Sequence, residues 1–105
     1  MIKVSVITTA YNCESFIKES ISSILSQSFL DFEFIIINDG STDKTSDVVL
    51  GFNDSRIRFI NHNDNKGVML RSKEAIELAN GKYIAIHDAD DVSMSNRLEL
   101  QHSFL

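Results

Sequence analysis

The sequence predicts an α/β fold: a three-layer α/β/α arrangement around a mostly parallel sheet. Three observations predict it. Four short apolar runs, β-branched or aromatic, alternate with stretches of helical periodicity. Three of those runs are nearly continuous in apolar character, as strands covered on both faces should be. Polar, turn-forming residues follow the runs, and ligands in open parallel sheets collect beyond the carboxyl ends of the strands.

Val4-Ser5-Val6-Ile7 reads as the first strand. From Asn12 to Ser28 the residues Ile17, Ile21, Ile24 and Leu25 recur at helical spacing, with Asn12 placed to cap the helix. Phe34-Ile35-Ile36-Ile37 is the second strand, and a weaker helix is expected over residues 42–52. Ile57-Arg58-Phe59-Ile60 is the third strand. The helix after it runs from about Val68 to Ala79, with Met69, Ile76 and Ala79 on one face and Gly81 beyond its end. Tyr83-Ile84-Ala85-Ile86 is the fourth strand. A last helix starts near Asn96, where Asn96 and Glu99 have capping-box spacing, and continues to Leu105. Helical crossovers between successive strands imply right-handed connections and parallel pairing.

A chain of 105 residues, 43% of them apolar, supports one packed domain, here residues 1–105. Ten basic against fifteen acidic residues give a net charge of −5, a poor match for nucleic acid or an anionic membrane face. A single cysteine, Cys13, cannot form an internal disulfide and points to the cytosol; it reads as a small residue near a helix start rather than a nucleophile. No apolar run approaches the roughly 20 residues that span a bilayer.

The informative residues stand after the strands. Thr8-Thr9-Ala10-Tyr11-Asn12 follow the first, Asn38-Asp39-Gly40-Ser41-Thr42-Asp43 the second, and His87-Asp88-Ala89-Asp90-Asp91 the fourth. Carboxylates gathered at one sheet edge repel one another unless a cation joins them. Asp88 and Asp90, two apart in a turn, can aim at one pocket, and hard oxygen ligands suit Mg²⁺ or Mn²⁺. Solvated turn acids are the plainer alternative. Asp39 can cap the following helix or accept a hydrogen bond from a nucleobase. Tyr11 can be a rim aromatic or a ring on which a base stacks. His87 reads as a packed, hydrogen-bonded histidine. No Gly-rich dinucleotide fingerprint, Walker A lysine or nucleophile elbow is present. An EF-hand loop starting at Asp88 fails, with Val92 and Ser93 where an oxygen ligand and glycine belong.

Taken together, these segments resemble family-2 glycosyltransferases of the GT-A fold. The opening strand leads to Tyr11-Asn12. The second strand ends in Asn38-Asp39-Gly40-Ser41-Thr42-Asp43. Asn65-Lys66-Gly67 and Ala79-Asn80-Gly81-Lys82-Tyr83-Ile84 follow, and Asp88-Ala89-Asp90-Asp91 resembles the D-x-D motif, with Arg97-Leu98 and Gln101 in the helix beyond. The resemblance implies a Rossmann-like half that binds a nucleoside-diphosphate sugar, UDP-sugar favoured. It implies transfer of the sugar to an acceptor hydroxyl with inversion, on a carbohydrate, lipid or protein acceptor, in synthesis of a cell-surface polysaccharide or glycoconjugate. It assigns Thr9, Tyr11, Asp39, Lys66 and Asp88 to the nucleotide and Asp90 with Asp88 to Mn²⁺ or Mg²⁺. Asp91 supports the turn, and Arg71 receives no role. Family members often carry proline where Thr9 and Ser95 stand here. They also continue well past the position of Leu105. The general base is expected beyond Leu105, so no catalytic residue is assigned within the chain, which reads as an N-terminal portion that binds donor without turnover. The cytoplasm is the expected setting, with its membrane face left open for a full-length enzyme. The rival classes are a receiver-like phosphoacceptor domain, a nucleotidyltransferase and a non-catalytic binding module. A receiver would need its acidic pair after the first strand, and a nucleotidyltransferase a basic Gly-rich loop there.

Overall fold

Alternation of side chains along the two central strands sorts the core into two layers. In the computed structural model, which describes residues 2–92 and 96–103 (with side chains through 101), the strands are β1 (Val4–Ala10), β2 (Phe32–Asp39), β3 (Ile57–His62) and β4 (Tyr83–Ile86). The helices are α1 (Ile17–Leu25), α2 (Thr45–Leu50), α3 (Val68–Leu78) and α4 (Arg97–Ser103). Val4, Val6, Ala10, Phe32, Phe34 and Ile36 point to the face that carries Ile17, Ile21 and Ile24 of α1, Val49 of α2 and Leu98 of α4. Ile7, Ile35 and Ile37 point the other way, onto Ala75 of α3.

All three strand pairings are parallel, in the order β3-β2-β1-β4. The chain lays down β1, β2 and β3 in one direction and then returns through α3 to place β4 on the free side of β1. The order therefore reverses between β1 and β4. At such a switch point the loops diverge to opposite faces and leave a crevice beyond the strand ends.

β1 and β2 are longer than their apolar runs, because pairing with β2 carries β1 through Ala10 and pairing with β3 carries β2 through Asp39. Four local expectations are corrected. α1 begins at Ile17, with Phe16 at its N-cap position and no side-chain cap. Asn12 instead takes a positive φ of 48° outside the helix. α3 buries Arg71 and Ala75, while Met69 and Ile76 are exposed, so an ion pair rather than an apolar stripe decides its inner face. Beyond α3, Ala79 is the extended C-cap. Gly81 has a different reason to be glycine: a Cβ there would lie 2.5 Å from the Ser5 nitrogen. β4 is covered on one face only, with Ala85 buried and Ile84 and Ile86 exposed, because α3 packs over β1 and β2. Glu99 accepts a 2.6 Å hydrogen bond from Ser28. Ser95 and Leu105 lie outside the described residues, so the expected run of the last helix to Leu105 is described only as far as Ser103.

Candidate functional site

The carboxyl edge of the sheet is built by lacing the loops together through short polar side chains. After β1, the Asn12 amide nitrogen donates to Ser41 Oγ at 3.0 Å, and Asn12 Oδ1 accepts from the Thr42 nitrogen at 2.7 Å. The Cys13 nitrogen donates to Thr45 Oγ1 and the Glu14 nitrogen to Asp43. The left-handed turn at Asn12 lets one residue face the next loop with both its backbone and its side chain, a conformation asparagine tolerates better than most. Tyr11, at the head of this loop, is about half exposed. Thr9 lies on the α3 face, its hydroxyl 3.3 Å from Ser72.

Asp39 ends β2 on the same face as Ile35 and Ile37 and is 2% exposed. Its two oxygens accept from the Lys66 nitrogen at 2.8 Å, Arg71 Nε at 2.9 Å, the Gly67 nitrogen at 3.0 Å and Asn65 Nδ2 at 3.0 Å. Burial alone would raise its pKa. The Lys66 and Gly67 N–H groups and the Arg71 guanidinium outweigh that and hold the carboxyl below its ordinary 3.8. Gly67 is the N-cap of α3 and offers no side chain, so a carboxylate from β2 meets the helix N-terminus in its place. Arg71 reaches on to Asp64, through its carbonyl at 2.7 Å and its carboxylate at 3.1 Å. Gly40, at φ +70°, lets the Asp64-Asn65 backbone pass; a Cβ there would fall 2.3 Å from the Asp64 carbonyl carbon. Four donors thus meet about four acceptor positions on the Asp39 carboxylate. The Lys66 side chain is exposed, with its ammonium 3.7 Å from Asp64.

Beyond β4 the chain turns sharply, closed by the Asp91 nitrogen donating to the Asp88 carbonyl at 3.0 Å. Asp88, Asp90 and Asp91 are exposed at the corners of this turn, and one carboxylate oxygen from each lies within 4.8 Å of the others. Oxygens this close suit one hard cation. The Asp90 charge also reaches the first loop. The Cys13 thiol is pushed up, first by burial against an opposing hydrogen bond from Thr45, then by the charges of Asp43 and Asp90. His87, at the root of the turn, is 1% exposed and bonded at both ring nitrogens, as a packed histidine should be. Burial, then the Arg97 charge, keeps its pKa below 6.5.

β1 separates β2 from β4, so two strand spacings, roughly 10 Å, separate the lines that carry Asp39 and the acidic turn. The predicted residues therefore gather at one rim, Tyr11 centrally and Asp39 with Lys66 to one side. Sequence reasoning missed Arg71 and Asn65 as partners of Asp39, and Asn12 as the tie between loops. A hint existed: an arginine one helical turn before Ala75 on a buried helix face demands a carboxylate.

The profile of Glycosyl transferase family 2 matches residues 5–105. The chain belongs to that family. Among similar proteins is the UDP-Glc:alpha-D-GlcNAc-diphosphoundecaprenol beta-1,3-glucosyltransferase WfgD of Escherichia coli. It is 39% identical over 102 residues, 97% of this chain and 40% of WfgD. Another is the putative teichuronic acid biosynthesis glycosyltransferase TuaG of Bacillus subtilis, 38% identical over 97% of this chain and 41% of TuaG. This family-2 chain thus spans about two fifths of the length of such relatives. Among solved structures, S. aureus TarS in complex with UDP-GlcNAc superposes with a TM-score of 0.92 at 29% identity, over 98% of this chain and 31% of that one. Pyrobaculum calidifontis mannosyltransferase PcManGT, in complex with GDP-Man and Mn²⁺, has a TM-score of 0.83 at 24% identity, over 91% of this chain and 30% of that one, a likeness of fold.

Proposed function

We propose that this chain is the donor-binding portion of an inverting glycosyltransferase that takes a UDP-sugar, with a divalent cation held by Asp88 and Asp90 and closed off by Asp91. The observation that carries the reading is the three-acid turn beside the β1–β4 switch point. The donor set fits Mn²⁺ or Mg²⁺: exposed carboxylates on one side leave the remaining positions for water and phosphate oxygens. When bound, the cation neutralises the leaving diphosphate. Tyr11 offers its half-exposed ring to the base. Asp39 and Arg71 fix the 64–67 loop that carries the Lys66 ammonium to the rim. Thr9 lines the floor next to Ser72.

The choice of UDP is supported by the UDP donors named for WfgD and TarS. The acceptor is proposed to be a carbohydrate or lipid-linked carbohydrate of the cell surface, in line with the names of WfgD and TuaG. A cytoplasmic site, at the membrane face in the full-length protein, suits both that acceptor and the single thiol. Among the described residues no helix is long and apolar enough to cross a membrane. The relatives' greater length makes binding, rather than turnover, the property proposed for the 105-residue chain, with the general base supplied from beyond Leu105.

Calorimetric titration with UDP tests this. Saturable binding is expected with Mn²⁺, weakened at least tenfold by chelation or by Asp90→Ala. Binding unaffected by both would remove the cation from the reading, and no binding with Mn²⁺ present would remove the donor site.

A further inference from the structure

The acidic turn is held from beneath by a directional chain of hydrogen bonds that the donor chemistry does not use. Arg97 Nη1 lies 3.1 Å from His87 Nδ1, and Arg97 Nη2 donates to the Ile86 carbonyl at 2.7 Å. On the other side of the ring, His87 Nε2 lies 2.8 Å from Ser20 Oγ. Ser20 Oγ in turn lies 3.2 Å from the Asp88 carbonyl oxygen, to which it donates. Ser20 and His87 are each 1% exposed.

Proton placement along this chain follows from the groups themselves. A guanidinium only donates, so His87 Nδ1 accepts from Arg97. The neutral ring then carries its proton on Nε2 and donates to Ser20 Oγ. The single hydroxyl hydrogen of Ser20 is thereby left for the Asp88 carbonyl. That same carbonyl accepts from the Asp91 nitrogen and closes the turn, so its two acceptor positions are both engaged, one from the turn itself and one from α1. The His87 backbone is pinned as well: its nitrogen donates to Ile7 and its carbonyl accepts from Thr8 Oγ1 at 2.6 Å. The turn's carboxylates are exposed, while its backbone is tied to the buried Ser20 and His87.

We propose that Ser20, His87 and Arg97 are a positioning relay that fixes the Asp88 carbonyl and so sets the three carboxylates of the turn at the spacing a divalent cation needs. The relay rests on the reading of the turn as a cation site. Groups that orient ligands from behind typically change metal affinity by about 10–100-fold when removed. Ser20→Ala deletes one hydroxyl without opening a large cavity and leaves every carboxylate in place.

The test is Mn²⁺ affinity of the 105-residue chain, read from the electron paramagnetic resonance signal of free Mn²⁺ with UDP present. UDP affinity in chelator and thermal stability are measured alongside. Ser20→Ala is expected to weaken Mn²⁺ about tenfold, with UDP affinity in chelator unchanged. Arg97→Ala is expected to weaken Mn²⁺ in the same direction, with recovery in Arg97→Lys, which keeps a donor. This second pair decides the matter if Ser20→Ala fails to fold. Wild-type Mn²⁺ affinity in Ser20→Ala, beside loss in Asp90→Ala, overturns the relay and leaves the cation site standing. Equal losses of Mn²⁺ and metal-free UDP affinity overturn it also, since a general loosening of the fold would then be the cause. Absence of Mn²⁺ binding in the wild-type chain overturns the cation site and the relay together.

Discussion

Asp39 shows how one carboxylate can serve both fold and site. It takes two backbone donors at the start of α3, one amide and one guanidinium, and every one of those bonds crosses from β2 to the segment 65–71. The pairing with Arg71 is buried at both ends, with 7% and 3% of the side chains exposed. Removing one partner of such a pair strands the other. Asp39→Asn, which keeps the shape but not the charge, is expected to lose about 3 kcal/mol of stability. The signature is a lower urea midpoint at unchanged slope, together with weaker UDP binding as the 64–67 loop loosens. A variant as stable as the wild type would show that the four bonds contribute little beyond what water supplies.

At the scale of elements, the edge is assembled by close approaches rather than by apolar packing. The β2–α2 loop passes the 64–65 backbone at a distance only glycine allows, and Gly40 does so at a φ that other residues avoid. Gly40→Ala is therefore expected to cost about 3 kcal/mol, since backbone on both sides has to move. In contrast, Gly67→Ala meets no atom within 4 Å and is strained through its φ of +98° alone. It should cost about 2 kcal/mol, since that φ with ψ 152° is a region almost only glycine occupies. Thermal unfolding of the two variants in parallel checks the order, and a larger loss at Gly67 would contradict it.

Over the whole molecule, the sheet has a polar clamp at each end of the same face. Glu33 and Asp39 stand at opposite ends of β2, with Ile35 and Ile37 between them on that face. Glu33 accepts from Ser5 Oγ, the Asn80 nitrogen and Arg58. Burial would raise its pKa, but those donors outweigh burial and hold it below 4.5. Both carboxyls therefore titrate lower in the folded state than in the unfolded one. The unfolded chain binds more protons in acid, so the stability these groups add is complete above about 4.5 and drains away as pH falls through their folded values. His87 acts earlier. Its folded pKa lies below 6.5, so the unfolded chain takes up that proton first and stability begins to fall below about 6.5. Urea midpoints are expected to be highest at neutral pH, to decline gently below 6.5 and to drop steeply below 4.5. A midpoint that rises on acidification would contradict both assignments.

The strand runs, the presence of a helix between successive strands and the position of acidic residues after the second and fourth strands were legible in the linear chain, whereas the start of α1 and the inner face of α3 were not. Each depends on local periodicity and on where a strand must end. D-x-D spacing allowed Asp88 and Asp90 to aim at one pocket, and the parallel α/β order put them at the same sheet edge as Asp39 and Tyr11. What only the tertiary structure decided was pairing at a distance. It joined Asp39 to Arg71, Asn12 to the loop after β2, and Arg97 through His87 and Ser20 to Asp88. It also left one face of β4 exposed where the apolar run suggested cover. These outcomes depend on which strand lies beside which and over which strands a helix settles. Apart from Arg97–His87, these bonds join residues about 30 or more positions apart and carry no periodicity of their own, so the sequence could name the chemistry at the rim but not the partners that hold it there.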